Sequence, residues 1–148
     1  MNYIQGFAVH IDRETNRVFV LTPSLWVNLT PHLHNKLIAG SSIEFGGMGL
    51  EIYTPELPDT IHDTVVQYFV YPHMTETTIQ YFGFSTVYKL DLFRLLLSVK
   101  GVGVKTAFAM MCKFDDPYFV SEEDLRTVKG IGKSTAAGIR AKLDKVFG

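Results

Sequence analysis

The chain of 148 residues has a single cysteine, Cys112, which excludes an intrachain disulfide and leaves too few ligands for a thiolate metal cluster. No apolar run approaches the roughly 18 residues a membrane-spanning helix needs, and the polar, acid-bearing N-terminus does not read as a secretory signal. A reducing compartment is the expected setting, with Cys112 expected in a helical core. An excess of positive charge is also missing. Lys and Arg number 14 against 15 Asp and Glu, a net charge of −1, and taken over the whole chain this balance argues against nonspecific nucleic-acid binding. The pattern GxxxxGK[ST] is absent too, because Gly130-Ile131-Gly132-Lys133-Ser134 lacks its four-residue gap. Dense carboxylates of the kind that hold a catalytic Mg²⁺ occur only at Asp115-Asp116 and Glu122-Glu123-Asp124. The first reads as a turn before Pro117 and the second as a helix start, so metal catalysis is disfavoured and no cofactor is expected. His32-Leu33-His34 has no evident third ligand and reads as a surface loop.

What the chain does have is enough apolar content, 47%, to bury a core as one domain or two small ones. Its charge is unevenly placed. From Thr86 onward Lys and Arg outnumber Asp and Glu by 11 to 7, whereas the part before Thr86 carries 3 against 8. The hydrophobic period changes near the same point. Tyr3 to Ile11 and Arg17 to Leu21 are β-branched and aromatic, joined by a polar turn from Asp12 to Asn16. Ser42-Ile43-Glu44-Phe45 and Leu50-Glu51-Ile52-Tyr53 flank the glycine turn Gly46-Gly47-Met48-Gly49, for which a phosphate loop is the competing reading although no helix pattern follows. Thr64 to Tyr71 and Thr77 to Phe82 flank Pro72 to Glu76. Five or more strands in so short a segment predict a small closed barrel of the oligonucleotide-binding type over residues 1–84, with an insertion around 22–40 suited to cover a barrel end or a subunit contact.

Residues 85–148 read as helical. Val87, Leu90, Phe93, Leu96 and Leu97 recur at helical spacing, Ser121-Glu122-Glu123-Asp124 resembles a capping box, and Ile139, Leu143 and Val146 form the inner stripe of a last helix. That stripe leaves Arg140, Lys142 and Lys145 outward, to touch DNA or to keep the helix soluble. Two glycine hairpins punctuate the helices, Gly101-Val102-Gly103 and Gly130-Ile131-Gly132, in one register from the preceding Val-Lys to Ala107 and Ala136. Each glycine permits positive φ and close approach of the main chain, the apolar residue between them can pin the turn, and the helix that opens there presents unpaired N–H groups to an anion. Simple helix capping is the competing reading, but duplication with the same flanking pattern favours a clamp on two phosphates. The candidate contacts are Lys100, Gly101, Val102, Gly103, Lys105 and Thr106 in the first copy, and Lys129, Gly130, Ile131, Gly132, Lys133 and Ser134 in the second, joined by Arg140. Phosphates carry no base identity, so the expected target is DNA shape. The fold class expected is α+β, an N-terminal barrel followed by an all-α tandem helix-hairpin-helix domain at 85–148.

This order of parts resembles the RuvA family of Holliday-junction-binding proteins. Ile43 to Ile52 resembles the family's strand-GGxG-strand segment, Phe82-Gly83-Phe84 its aromatic-Gly-Phe barrel closure, and Leu92-Phe93 before Gly101-Val102-Gly103 keeps the same order. The resemblance implies a non-catalytic homotetramer that holds a four-way DNA junction open for branch migration or resolution, in a bacterial cytoplasm or an equivalent reducing compartment such as an organelle matrix or an infected cell. It implies an acidic pin on the last barrel turn, here Tyr71 to Thr77, where the family has two adjacent acids and this chain has Glu76 in a longer turn containing Pro72 and His73. Lys113 to Val128 is shorter than the family's connection. The third domain that engages the RuvB motor has no counterpart before Gly148, so a fragment or a compact relative is expected, and a motor or resolvase partner stays open. Two other readings remain: a general duplex or branched-DNA binding adaptor that recruits other repair or replication proteins, and a metal-dependent junction nuclease.

Overall fold

The computed structural model describes residues 2–21, 50–61 and 64–147. The strand expected at Ser42 to Phe45, the Gly46 to Gly49 turn, the 22–40 insertion and the His32/His34 pair lie outside the described residues. The chain divides into two compact units, Met1–Thr86 and Val87–Gly148.

The first unit is a closed barrel in the order β1-β2-β3-β5-β4, made of β1 (Asn2–Asp12), β2 (Arg17–Leu21), β3 (Leu50–Tyr53), β4 (Val65–Met74) and β5 (Ile79–Phe84). Closure depends on β1, which is long enough to serve two neighbours. Its first half pairs antiparallel with β4 from Asn2↔Val70 to Phe7↔Val65, and its second half pairs with β2 up to Asp12↔Arg17. The register shifts between Ala8 and His10, a bulge that turns the strand from one partner to the other. The ring is completed by a parallel pairing of β3 with β5 at Ile52↔Tyr81 and Tyr53↔Phe82. Alternation along β4 buries Val66, Tyr68 and Val70 against Ala8, Val18, Val20 and Ile52. Tyr68 keeps its polar end satisfied by donating to the Glu56 carbonyl at 2.9 Å, and its burial pushes the phenol up to about 12.

The last barrel turn differs from the expectation. β4 runs on to Met74, with Pro72 opposite Tyr81 and His73 opposite Gln80, so these residues are strand and not turn. Proline is tolerated there because, among the described residues, β4 beyond Val70 has no pair with β1 and pairs with β5 alone. The turn is Thr75 to Thr78, closed by a Thr75 N–H to Thr78 carbonyl bond of 2.8 Å and by the two threonine hydroxyls 2.7 Å apart, and it leaves Glu76 exposed.

The second unit contains α1 (Val87–Leu97), α2 (Val104–Lys113), a 3₁₀ turn (Pro117–Phe119), α3 (Glu122–Leu125) and α4 (Lys133–Phe147). In α1 the stripe of Leu90, Phe93 and Leu96 is buried as expected, and Leu92 and Leu95 join it. The Ser121 hydroxyl caps α3 by accepting from the Asp124 N–H at 3.2 Å, and Asp116 caps the 3₁₀ turn by accepting from the Tyr118 N–H at 3.0 Å. Two further expectations are corrected. Cys112 is exposed on α2, where Ala107, Met110 and Met111 take the buried face. Val146 is 58% exposed, and the inner face of α4 is Ala136, Ile139 and Leu143, one turn further toward the N-terminus.

Candidate nucleic-acid interface

The two hairpins have the same local construction. A tight turn ends each preceding helix, with Val102 N–H donating to the Val99 carbonyl at 3.1 Å and Ile131 N–H to the Val128 carbonyl at 3.1 Å. The first glycine of each sits in the left-handed region, Gly101 at φ +90° and Gly130 at φ +94°, which favours glycine over any L side chain. The middle residue points inward: Val102 and Ile131 are buried, beside buried Val99 and Val128. The turn is thereby held from beneath while its glycines stay on the surface.

The second glycines require a different explanation. Gly103 is in ordinary extended geometry, φ −94° and ψ 178°, so its backbone does not demand glycine. A Cβ built at Gly103 or at Gly132 meets nothing within 4 Å, so internal packing does not demand it either. What a side chain there would obstruct is the space outside the molecule. Into that space the helices direct N–H donors that have no partner among the described residues. The first intrahelical bonds are Ala107 N–H to the Gly103 carbonyl and Ala136 N–H to the Gly132 carbonyl, both 2.9 Å, which places the N–H groups of Val104, Lys105 and Thr106, and of Lys133, Ser134 and Thr135, ahead of the ladder. Gly103 supplies no side-chain cap. Bare N–H groups at the positive end of a helix, beside a missing side chain, form a surface suited to an anion. Exposed Lys100 and Lys105 flank the first, and exposed Lys129 and Lys133 the second.

The copies also interlock. A Cβ on Gly101 would lie 3.2 Å from Thr135 Oγ1, and one on Gly130 would lie 3.5 Å from Thr106 Oγ1, so each hairpin faces the threonine at the start of the other copy's helix. Thr106 and Thr135 occupy equivalent positions in the two copies, which makes the arrangement a pseudo-twofold pair. Each anion-facing turn thus lies close to the start of the other copy's helix, a proximity that the linear motif does not reveal.

Arg140 is placed otherwise than expected. Its guanidinium turns inward to the carbonyls of Tyr118 and Val120, bonds Asp144 one helical turn on at 2.7 Å, and lies 5.6 Å from the Tyr118 ring centroid. It ties the 3₁₀ segment to α4 through these bonds from both of its terminal nitrogens. Helical phase alone puts it outward; only the return of residues 118–120 alongside α4 gives it acceptors. Conversely, Ser98 and Thr135 escape a reading of the sequence, and Lys142 is left by it between two roles, yet all three line a groove of about 650 Å³ with Lys100, Gly101 and Ser134. The repeat offset from Thr106 finds Thr135, whereas the mates of Ser98 and Lys142 are Thr127 and Lys113, which bond each other, so only the folded groove brings those two in.

The acidic groups have local roles. Asp116 also accepts from the Tyr88 hydroxyl at 3.0 Å, while Glu122, Glu123 and Asp124 occupy the first turn of α3. Among the described residues no group of three His, Cys, Asp or Glu side chains is placed to hold a metal ion, and no helix is long and apolar enough to cross a membrane.

Comparison with known proteins agrees with this geometry. Residues 93–145 match the family model described as a SAM-like helix-hairpin-helix tandem. The chain is 36% identical over 105 residues to the Holliday junction branch migration complex subunit RuvA of Listeria monocytogenes serotype 4a, covering 66% of this chain and 52% of that protein. It is 34% identical over 112 residues to the RuvA subunit of Thermoanaerobacter sp. strain X514, covering 68% and 59%. For the RuvA subunit of Dehalococcoides mccartyi strain CBDB1 the figures are 32% over 114 residues, 70% and 59%. The chain thus spans about half the length of the curated relatives it matches.

Proposed function

We propose, on the premise that this chain belongs to the RuvA family by homology over about two thirds of its own length, that it binds four-way DNA junctions through their backbone, independently of sequence and without catalysing a reaction itself. The observation that carries the reading is the pair of surface glycines, Gly103 and Gly132, whose missing side chains neither backbone geometry at Gly103 nor packing at either position explains. Close approach of a phosphate to the helix N-termini does explain them. In this reading the N–H groups at the starts of α2 and α4 donate to phosphate oxygens, Val102 and Ile131 hold the turns in shape, and Lys100, Lys105, Lys129, Lys133, Thr106 and Ser134 supply charge and further donors. Two turns at a fixed spacing suit two backbone positions of one duplex arm.

Junction preference over linear duplex then requires several copies of the chain around one crossover, and a homotetramer with a RuvB-type motor or a resolvase as partner is the arrangement we propose. Exposed Glu76 on the short β4–β5 turn is the group we assign to repel phosphates at the crossover. A soluble, DNA-associated protein of a reducing compartment fits this role.

The test is competition between a synthetic four-way junction and a linear duplex of equal length at two salt concentrations. Tighter junction binding is expected, with the logarithm of affinity falling against the logarithm of salt by about 0.9 per phosphate neutralised. Equal affinity for both DNAs removes the junction claim, and salt-independent binding removes the phosphate clamp.

A further inference from the structure

The duplicated architecture is not electrostatically symmetric. The offset that carries Gly101 onto Gly130 pairs Ser98 with Thr127, Lys100 with Lys129, Ala109 with Gly138, and Lys113 with Lys142. Lys113 ends α2, and Lys142 stands at the equivalent position in the longer α4. Lys113 engages its ammonium within the protein: Nζ donates to Thr127 Oγ1 at 2.7 Å and faces the Thr127 carbonyl at 3.5 Å. Lys142 has no hydrogen-bond or ion-pair partner among the described residues. Its neighbour Asp144 is taken by Arg140.

Lys142 instead borders the groove of about 650 Å³ between the first hairpin and α4, which Lys100 also lines. The lining contains two lysines and the Ser134 and Thr135 side chains, and no acidic residue. At the position where the other copy has Ala109, the groove has Gly138, whose bare Cα leaves α4 without a methyl at this wall. A hypothetical Cβ there would rest 3.4 Å from Val99 Cγ1, an ordinary contact, so packing tolerates alanine and does not account for the glycine. Two uncompensated cations on one concave, hydroxyl-lined surface make an anion the chemically matched occupant.

We propose that this groove seats a DNA backbone phosphate between Lys100 and Lys142, making Lys142 a DNA-contact residue that serves the first hairpin, while its repeat mate Lys113 is a structural latch. The proposal rests on the phosphate-clamp reading above and extends it to unequal grips by the two copies. The first hairpin engages the backbone more deeply than the second.

The test compares Lys142→Gln, Lys142→Arg and Lys113→Gln in the full chain, measuring affinity for four-way junction DNA across a salt series together with thermal melting. Lys142→Gln is expected to weaken binding about fivefold at low salt and to reduce the salt slope by about 0.9, the loss of one phosphate contact, with an unchanged melt. Lys142→Arg keeps the charge and is expected to keep the slope. Lys113→Gln is expected to keep the slope and lower the melting temperature. If Lys142→Gln matches the parent protein in affinity and slope while Gly103→Val loses binding, the groove assignment is overturned and the clamp stands. If the folded parent protein binds no DNA, the clamp itself fails. If Lys113→Gln lowers the slope as much as Lys142→Gln does, the proposed inequality of the two copies is overturned.

Discussion

Replacing Gly103 by valine separates a binding role for the hairpin from a folding role. The site accepts the side chain sterically, since a Cβ there meets nothing within 4 Å and the backbone at φ −94°, ψ 178° is one that valine adopts without strain. Valine is a poor helix N-cap relative to glycine, a cost of about 1 kcal/mol. Reduced freedom of the unfolded chain offsets about 0.5 kcal/mol of that. The net loss is therefore below about 1 kcal/mol, a fall in Tm of no more than about 8 °C for a domain of this size. Binding should respond far more. If the isopropyl group keeps a phosphate from two N–H donors worth about 1.5 kcal/mol each, about 3 kcal/mol is lost, or roughly 100-fold in Kd. Gly101→Val is the informative contrast. Its φ of +90° and a Cβ only 3.2 Å from Thr135 Oγ1 predict a folding defect of about 1–3 kcal/mol from strain, before any ligand is considered. Fluorescence anisotropy with labelled junction DNA and a thermal melt of each variant decide the matter. A Gly103→Val protein that melts normally and binds within twofold of the parent would refute the reasoning, because the surface glycine would then have neither a packing nor a ligand-access role.

Arg140→Ala is expected to lower stability by about 2 kcal/mol, because the Tyr118 and Val120 carbonyls lose their donor, while the largely exposed Asp144 contributes little; a melt indistinguishable from the parent's counts against the tether. The Asp12 carboxyl, held at about 2 by hydrogen bonding from Thr15 first and Arg17 second, should contribute stability in full above its ordinary 3.8 and lose it as pH falls toward 2. Carboxyl-carbon NMR should find that low midpoint, and Arg17→Gln should raise it; a parent midpoint near 3.8 removes the turn network from the acid-stability account.

The features legible in the sequence are those encoded by neighbouring residues. The polar turn from Asp12 to Asn16 is readable because Asp12 accepts from the Glu14 and Thr15 N–H groups within the turn itself. The Gly-x-Gly hairpins are readable because one positive-φ glycine and one inward apolar residue suffice to specify the turn. Pro72 misleads, since proline signals a turn locally, whereas here it lies in β4 beyond the last described pair with β1. Cys112 and Val146 mislead because apolar spacing on a short or terminal helix does not say which of two adjacent phases meets a neighbour.

From the order of residues alone follow a β-rich first part, helices after it, and two turns of the same make in a duplicated register. Folding in three dimensions was needed to set β5 beside β3 in parallel and close the ring, to turn Arg140 inward to two carbonyls, and to leave Lys142 sharing a groove with Lys100. The division follows from range. Backbone preference and hydrophobic period act between residues a few positions apart, whereas strand pairing, buried donors and concave surfaces arise only when distant segments compete for the same contacts.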